Sequence, residues 1–383
     1  MHRIRNIYII FILLLFGCIK PYEPKIESNK ENKYVVSGRI TDKEGWQEVE
    51  VSLSSPIESP EYIPVSNCIV NIMDDKGNMF GLTEFQPGHY HVWMGEELLV
   101  PGRAFKVMAV PPGSEILESG FDTMPAGPKL DSVYYSIKDL PTSDPEKYLR
   151  VMQFYVDLNA EGNYSQYYKW EVTETWEYHA AHPAQYYYDG TFHEIVPPDY
   201  TNNICYATYM VKNVFTVSTK GLSQNIYKQY PLHYINGNSS RLGFLYSMLV
   251  QQLALSEGAY NYWEQLRINS NEQGGLYEKQ PLAIKGNIMN VSNPEKDVLG
   301  YFYATSMSDK RYFYHDIEGI ELDFSDNCME DPLGRMGWLE FSPAEYPVYY
   351  YFNEKGSLRI LTKDCIDCRV SGGTTVKPAF WPK

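Results

Sequence analysis

The chain has 383 residues, and its 33 basic against 48 acidic side chains give a formal net charge of −15. Such a surface is repelled by nucleic acid and by anionic lipid headgroups, which excludes a polyanion-binding protein. At 44% hydrophobic residues the chain can bury sizeable cores, and its length fits two domains.

The first residues are His2-Arg-Ile-Arg5, followed by the apolar run Ile7 to Phe16. The run is about half the ~20 residues that a spanning helix needs, so residues 1–17 read as an export signal. Leu15-Phe-Gly-Cys18 is similar to a bacterial lipobox. That similarity implies cleavage before Cys18 and acylation, with palmitate among the chains, on its sulfur and its new amine. More than one acyl chain is what stable anchoring requires. Loss of Arg3 and Arg5 with the signal leaves 31 basic against 48 acidic side chains, a net charge near −17. The anchor, not electrostatics, then holds the protein to its membrane. Residues 18–33 contain Pro21, Pro24 and several charges without an apolar period, and read as a tether.

Folded sequence begins at Tyr34. Short alternating strands are expected at Tyr34 to Ile40, Val49 to Leu53, Cys68 to Met73, His89 to Trp93 and Ala104 to Val110. Turn residues at Asp42 to Gly45, Asp74 to Gly77, Gln86-Pro-Gly88 and Pro101-Gly102 separate them. Residues 34–124 therefore read as a small antiparallel sandwich. Val36-Ser-Gly-Arg-Ile-Thr-Asp42, Cys68-Ile-Val-Asn-Ile72 and Gly88-His-Tyr90 resemble the transthyretin-like, or carboxypeptidase-regulatory, Ig module. Cys68, on an alternating strand, reads as a buried free thiol. His89 and His91 share one strand face and read as surface residues.

Pro125-Ala-Gly-Pro128 marks the expected boundary, and residues 130–383 form the second domain. Strands rich in tyrosine, valine and tryptophan follow at Leu130 to Ile137, Val151 to Leu158, Tyr167 to Tyr178, Ala207 to Ser218 and Arg241 to Leu255. Between them, His182 to Thr201 holds Pro183, Pro197 and Pro198 and reads as a long excursion. It carries Tyr186, Tyr187 and Tyr188, which on a loop cannot all be core. Tyrosine supplies rigid amphipathic area, so these three are the first choice for a binding surface. His179, His182 and His193, with Glu194, are dense enough to raise the question of a metal. They lack a helical period, and His193-Glu194 lacks the second histidine of a zinc-protease helix. A solvated loop without metal is the expectation.

At Ser256 the period changes. Ala259, Tyr262, Trp263 and Leu266 follow the i, i+3, i+4, i+7 rule, which predicts a helical insert over 257–268 with Ser256 as N-cap. Trp263 is expected to be buried against the larger sandwich, and Gly274-Gly275 to end the element. Strands return at Ile288 to Val291 and Val298 to Ser306. The fold class is mainly β: an N-terminal Ig- or transthyretin-like sandwich, then a larger β-sandwich with a short helical insert.

Cys205, Cys328, Cys365 and Cys368 remain. An exported chain meets an oxidising compartment, which favours disulfides over a four-cysteine zinc site. Cys365-Ile-Asp-Cys368 precedes Gly372-Gly373 and Pro378 instead of opening a helix, as a redox pair would. Three pairings of the four are open. The sequence has no Gly-x-Ser-x-Gly elbow, phosphate-cradling loop or dinucleotide fingerprint. No catalytic residue, metal or cofactor is expected.

The succession from Leu245 to Leu255, then Ser256-Glu-Gly-Ala-Tyr260, Gly274-Gly-Leu-Tyr277, Gly286-Asn-Ile288 and Gly300-Tyr-Phe-Tyr-Ala-Thr-Ser306 resembles a Bacteroidota lipoprotein family, domain of unknown function 4249. Cys365-x-x-Cys368-Arg369, Gly372-Gly-Thr374 and Pro378-Ala-Phe-Trp381 look like the same family's terminus. The resemblance implies an outer-membrane lipoprotein working beside a TonB-dependent transporter, as a non-enzymatic accessory or binding subunit. Two further readings stay open: a stand-alone surface adhesin or glycan-binding lipoprotein, and a hydrolase whose carboxylates only folding brings together. Ile19-Lys-Pro-Tyr22 precedes the first acidic residue, Glu23, which leaves the cell surface and the periplasmic face both open.

Overall fold

The computed structural model describes residues 32–56, 59–271, 284–322 and 328–382. The signal, Cys18, most of the tether and Gly274-Gly275 lie outside the described residues.

Alternation of apolar side chains builds nearly everything. The longest sheet runs in the order Ile204–Met210, Tyr167–His179, Tyr246–Ala254, Phe302–Tyr314, Tyr34–Thr41, Gly45–Leu53, His89–Met94, Thr83–Gln86. Its one junction between early and late chain is parallel: Gly38 pairs with Phe302 and Thr41 with Thr305. A second sheet, around Ile69–Asp74 and Ala104–Val110, packs on the N-terminal half. Between them lie Val36, Ile40, Val51, Ile72, Phe105 and Val107, all fully buried. Ile288, Val298, Phe302 and Ala304 complete this first core. The chain thus crosses the expected boundary near residue 125 and returns to the first core some 160 residues later, a route that Gly300 permits. Its φ is +96°, and a Cβ there would sit 2.1 Å from the Val36 carbonyl oxygen.

The larger sandwich pairs the other half of the long sheet with Ser132–Pro141, Tyr148–Asn159 and Ile226–Asn236. Its core holds Phe154, Tyr168, Trp170, Tyr246 and Met248. Trp170 is fully buried, and its Nε1 donates to Gln252 Oε1 at 3.2 Å. The strand Ile226–Asn236 is absent from the sequence reading, because Lys228 and Pro231 break its pattern. It lies at a sheet edge, where a missing N–H is tolerated, and bulges opposite Gln153–Leu158 absorb the irregularity.

Along Tyr167–His179, alternation sends Tyr168, Trp170 and Val172 into this core. Lys169 and Glu171 go to the opposite face, where the helix lies. The helix spans Glu257–Asn271, three residues beyond its expected end. Ser256 Oγ accepts the Ala259 N–H at 3.2 Å, which fixes the N-cap. Ala259 packs on Leu253, Leu255 and Tyr303. Trp263 departs from expectation in being only half-buried. One of its neighbours is a cation: the Lys169 ammonium, held by Glu171 at 2.8 Å, sits 3.2 Å from the indole centroid. The ring packs on the cluster of Leu253, Ala259 and Tyr303 and is also held by cation–π attraction to the ammonium. Trp263→Ala is therefore expected to cost about 2 kcal/mol, below the roughly 3–5 kcal/mol of a fully buried tryptophan. A urea midpoint unchanged from wild type would show that neither contact stabilises the fold.

Candidate functional site

The stretch His182 to Thr201 is not a loose excursion. Ala184–Tyr188 and Phe192–Asp199 form a hairpin, and Val348–Phe352, Leu358–Leu361 and Glu330–Pro332 extend it into a five-stranded sheet near the C-terminus. Aromatic and β-branched residues suit such a pleated, half-buried surface. Tyr186, Tyr187 and Tyr188 are consequently strand residues, each half-buried, facing Tyr350, Tyr349 and Val348 across the ladder.

Strand alternation divides the triplet. Tyr187 turns inward: it stacks on His193 at 4.5 Å and lies 6.0 Å from Tyr349, on the side of Leu361, Cys365 and Ile366. Tyr186 and Tyr188 turn outward. Tyr186 lies 5.5 Å from Tyr350 and 5.6 Å from Phe352. Trp338, on the 3₁₀ turn Gly337–Glu340, leans over the sheet, 4.8 Å from Tyr188, 5.1 Å from Tyr350 and 5.2 Å from Phe192. These spacings are those of favourable aromatic pairs. Tyr350 is buried beneath the other rings, which make one outer face, and the same turn adds Met336 and Leu339, 69% and 85% exposed. Phe192 and Phe352 are more than half exposed as well. Ser342 and Glu345 cap the next turn reciprocally and fix the chain that carries this rim.

Two disulfides fasten the inner side. Cys205 is bonded to Cys368 and Cys328 to Cys365. Both bridges bind the terminal segment, and Trp381 holds its end through Nε1 to Glu177 Oε2 at 3.2 Å and ring contacts with Tyr206 and Phe313. Cys68 is free and buried, and burial pushes its thiol pKa up.

The histidines of this region go separate ways. His179 pairs with Glu177, His193 with Asp189, and His182 with Glu330 at 2.9 Å. His182, Cys328 and Glu330 do converge within 4.8 Å, but the Cys328 sulfur is already bonded to Cys365 and offers no thiolate. Glu330 is instead held low by the Tyr351 hydroxyl and then by His182.

One polar group has no counterpart in the sequence reading. Glu174, buried in the larger sandwich, accepts from Tyr246 Oη at 2.7 Å and from Arg241 Nη1 at 2.9 Å, with His233 Nε2 at 3.1 Å. Burial alone would raise its pKa, but His233, Arg241 and Tyr246 outweigh it and bring it down. With both oxygens engaged, this carboxylate serves as the hub of an internal network. Its members are spread over 72 residues with no motif spacing, so nothing local announces them.

A family model described as domain of unknown function (DUF4249) matches residues 19–311. A comparison with curated proteins finds no match.

Proposed function

The chain belongs to the DUF4249 family, a domain of unknown function, and from that premise we propose that it is a non-enzymatic binding subunit, anchored in the outer membrane through Cys18 and working beside a TonB-dependent transporter. One observation carries the proposal: the outer aromatic face formed by Tyr186, Tyr188, Phe192, Trp338 and Phe352 over the buried ring of Tyr350, with Met336 and Leu339 exposed at its rim. Tyrosine, tryptophan and methionine are the residues enriched at protein contacts, and a concentration of exposed apolar groups marks interaction surfaces. The face is a sheet surface and not a cleft, which suits a macromolecular partner. Among the described residues no helix is long and apolar enough to cross a membrane, and a net charge of −15 gives no electrostatic attraction to anionic headgroups. A lipid on Cys18 meets both conditions.

The test uses the full chain extracted from membranes in mild detergent. Wild type is expected to co-elute with a partner of heat-modifiable gel mobility, the behaviour of an outer-membrane barrel. Met336→Glu with Leu339→Asp, both at exposed positions, should abolish capture without shifting the melting temperature. Equal capture by the double variant would assign the partner to another face. Cys18→Ser is expected to leave the chain uncut or soluble, and unchanged detergent partitioning would remove the anchor from the proposal.

A further inference from the structure

On the inner side of the five-stranded sheet, between the 184–199 hairpin and the terminal segment, lies a cavity of about 310 Å³. That volume falls within the roughly 300–1,000 Å³ of small-molecule sites. Its apolar lining includes Ile195, Tyr349 and Ile366, and four charged groups share it: Asp199, Lys363, Asp367 and Arg369.

The charges divide into a satisfied pair and an open one. Arg369 holds Asp367 with two parallel bonds, Nε to Oδ1 at 2.9 Å and Nη2 to Oδ2 at 2.7 Å. Such a bidentate pair is strong and self-contained. Asp199 is engaged only locally, its Oδ1 accepting the Thr201 N–H at 2.8 Å. Thr201 holds its carboxyl below the usual range, so it stays ionised at neutral pH. Lys363, at the start of the 3₁₀ turn Lys363–Cys365, is exposed. Among the described residues it makes no ion pair with Asp199, although both line one cavity. The four formal charges cancel. A pocket with one open cation, one open anion and an apolar floor discriminates against simple anions and simple cations alike, and favours a molecule that carries both signs.

The wall is held in place. Cys365 is bridged to Cys328 and Cys368 to Cys205, so the segment with Lys363 and Arg369 is fastened at two points. The backbone adds His182 N–H to the Cys365 carbonyl at 2.8 Å and Cys368 N–H to the Asn202 carbonyl at 3.0 Å. A site that is rigid before binding loses less entropy when it binds.

We propose that this cavity binds a small zwitterion, a free apolar amino acid or a dipeptide. Its ammonium lies on Asp199, its carboxylate on Lys363 and its side chain against Ile195, Tyr349 and Ile366. The proposal goes beyond the partner-binding reading, and the two are separable because the aromatic face is on the other side of the sheet.

Isothermal titration of the full chain in detergent tests it, with leucine, phenylalanine and leucyl-phenylalanine as probes. N-acetyl-leucine and leucinamide each lack one of the two charges, and maltose serves as a neutral polar control. Zwitterions should bind, and either blocked form should bind about tenfold more weakly, the loss of one charge-assisted hydrogen bond. Lys363→Met and Asp199→Asn should each produce the same loss with an unchanged melting temperature, since both side chains are exposed. Absence of heat with every zwitterion up to about 10 mM, where even millimolar affinity would register, overturns the proposal. So does equal binding of the blocked forms, binding of maltose alone, or binding that both variants retain.

Discussion

Cys368→Ser is expected to cost about 5 kcal/mol of stability, because the Cys205–Cys368 bridge spans 163 residues and loop-closure entropy grows with the logarithm of that number. The same relation gives about 4 kcal/mol for the 37-residue span of Cys328–Cys365. The two are not additive, since the shorter loop lies inside the longer. The cost of the first also includes a buried, newly unpaired sulfur, as Cys205 is 0% and Cys368 2% exposed. Chemical denaturation of the variant beside wild type measures the loss, and limited proteolysis locates it. Cleavage should appear first in the terminal segment beyond Leu361. A denaturation midpoint equal to wild type would mean that Trp381 and its bond to Glu177 hold the tail without the bridge.

Glu171→Gln should be nearly as damaging. Arg39, on the first strand, and Lys169 converge on this carboxylate at 2.7 and 2.8 Å. A neutral amide leaves two cations with little solvent between the long sheet and the helix, and breaking a buried pair in this way costs roughly 3–5 kcal/mol. The acid limb of the stability curve supplies an independent check. Burial alone would raise the Glu171 pKa, but Lys169 and Arg39 overcome it and pull the carboxyl down to about 2. The unfolded chain has an ordinary glutamate near 4.3, so the difference contributes about 3 kcal/mol. For a depressed carboxyl that contribution is fully present above about pH 4.3 and disappears as the pH falls through 2. Wild type should therefore lose stability between pH 5 and 2 more steeply than Glu171→Gln. Parallel acid limbs would remove this network from the list of what holds the two halves of the long sheet together.

The uneven legibility of the chain follows from which signals are local. Strands such as Ala104–Val110 and Tyr246–Ala254 alternate cleanly, and their burial repeats that alternation. The helix start is equally local, because Ser256 needs only the N–H of Ala259 to cap it. The hairpin at 184–199 was hidden by Pro183, Pro197 and Pro198, since proline speaks against a strand but is tolerated at a sheet edge. The same holds for Tyr186–Tyr188: as loop residues they form one cluster, whereas on a strand they divide between two faces. Trp263 differs from its sequence expectation for another reason. The helix stripe places the ring on Leu253, Ala259 and Tyr303 as expected, but Lys169, some 94 residues earlier in the chain, shares that position.

What the sequence determined by itself is therefore the mainly β class, the helical insert and its cap, and the buried free thiol of Cys68. Each rests on the period or chemistry of a few adjacent residues. Tertiary structure alone decided that Tyr34–Thr41 lies parallel to Phe302–Tyr314, and that Ile288, Val298 and Phe302 finish the first core. It also decided which cysteines join, and that Glu174, His233, Arg241 and Tyr246 meet. The cost of closing a loop rises only slowly with its length, so distance along the chain says little about which partner wins. Packing against every neighbour at once makes that choice, and a single sequence does not display it.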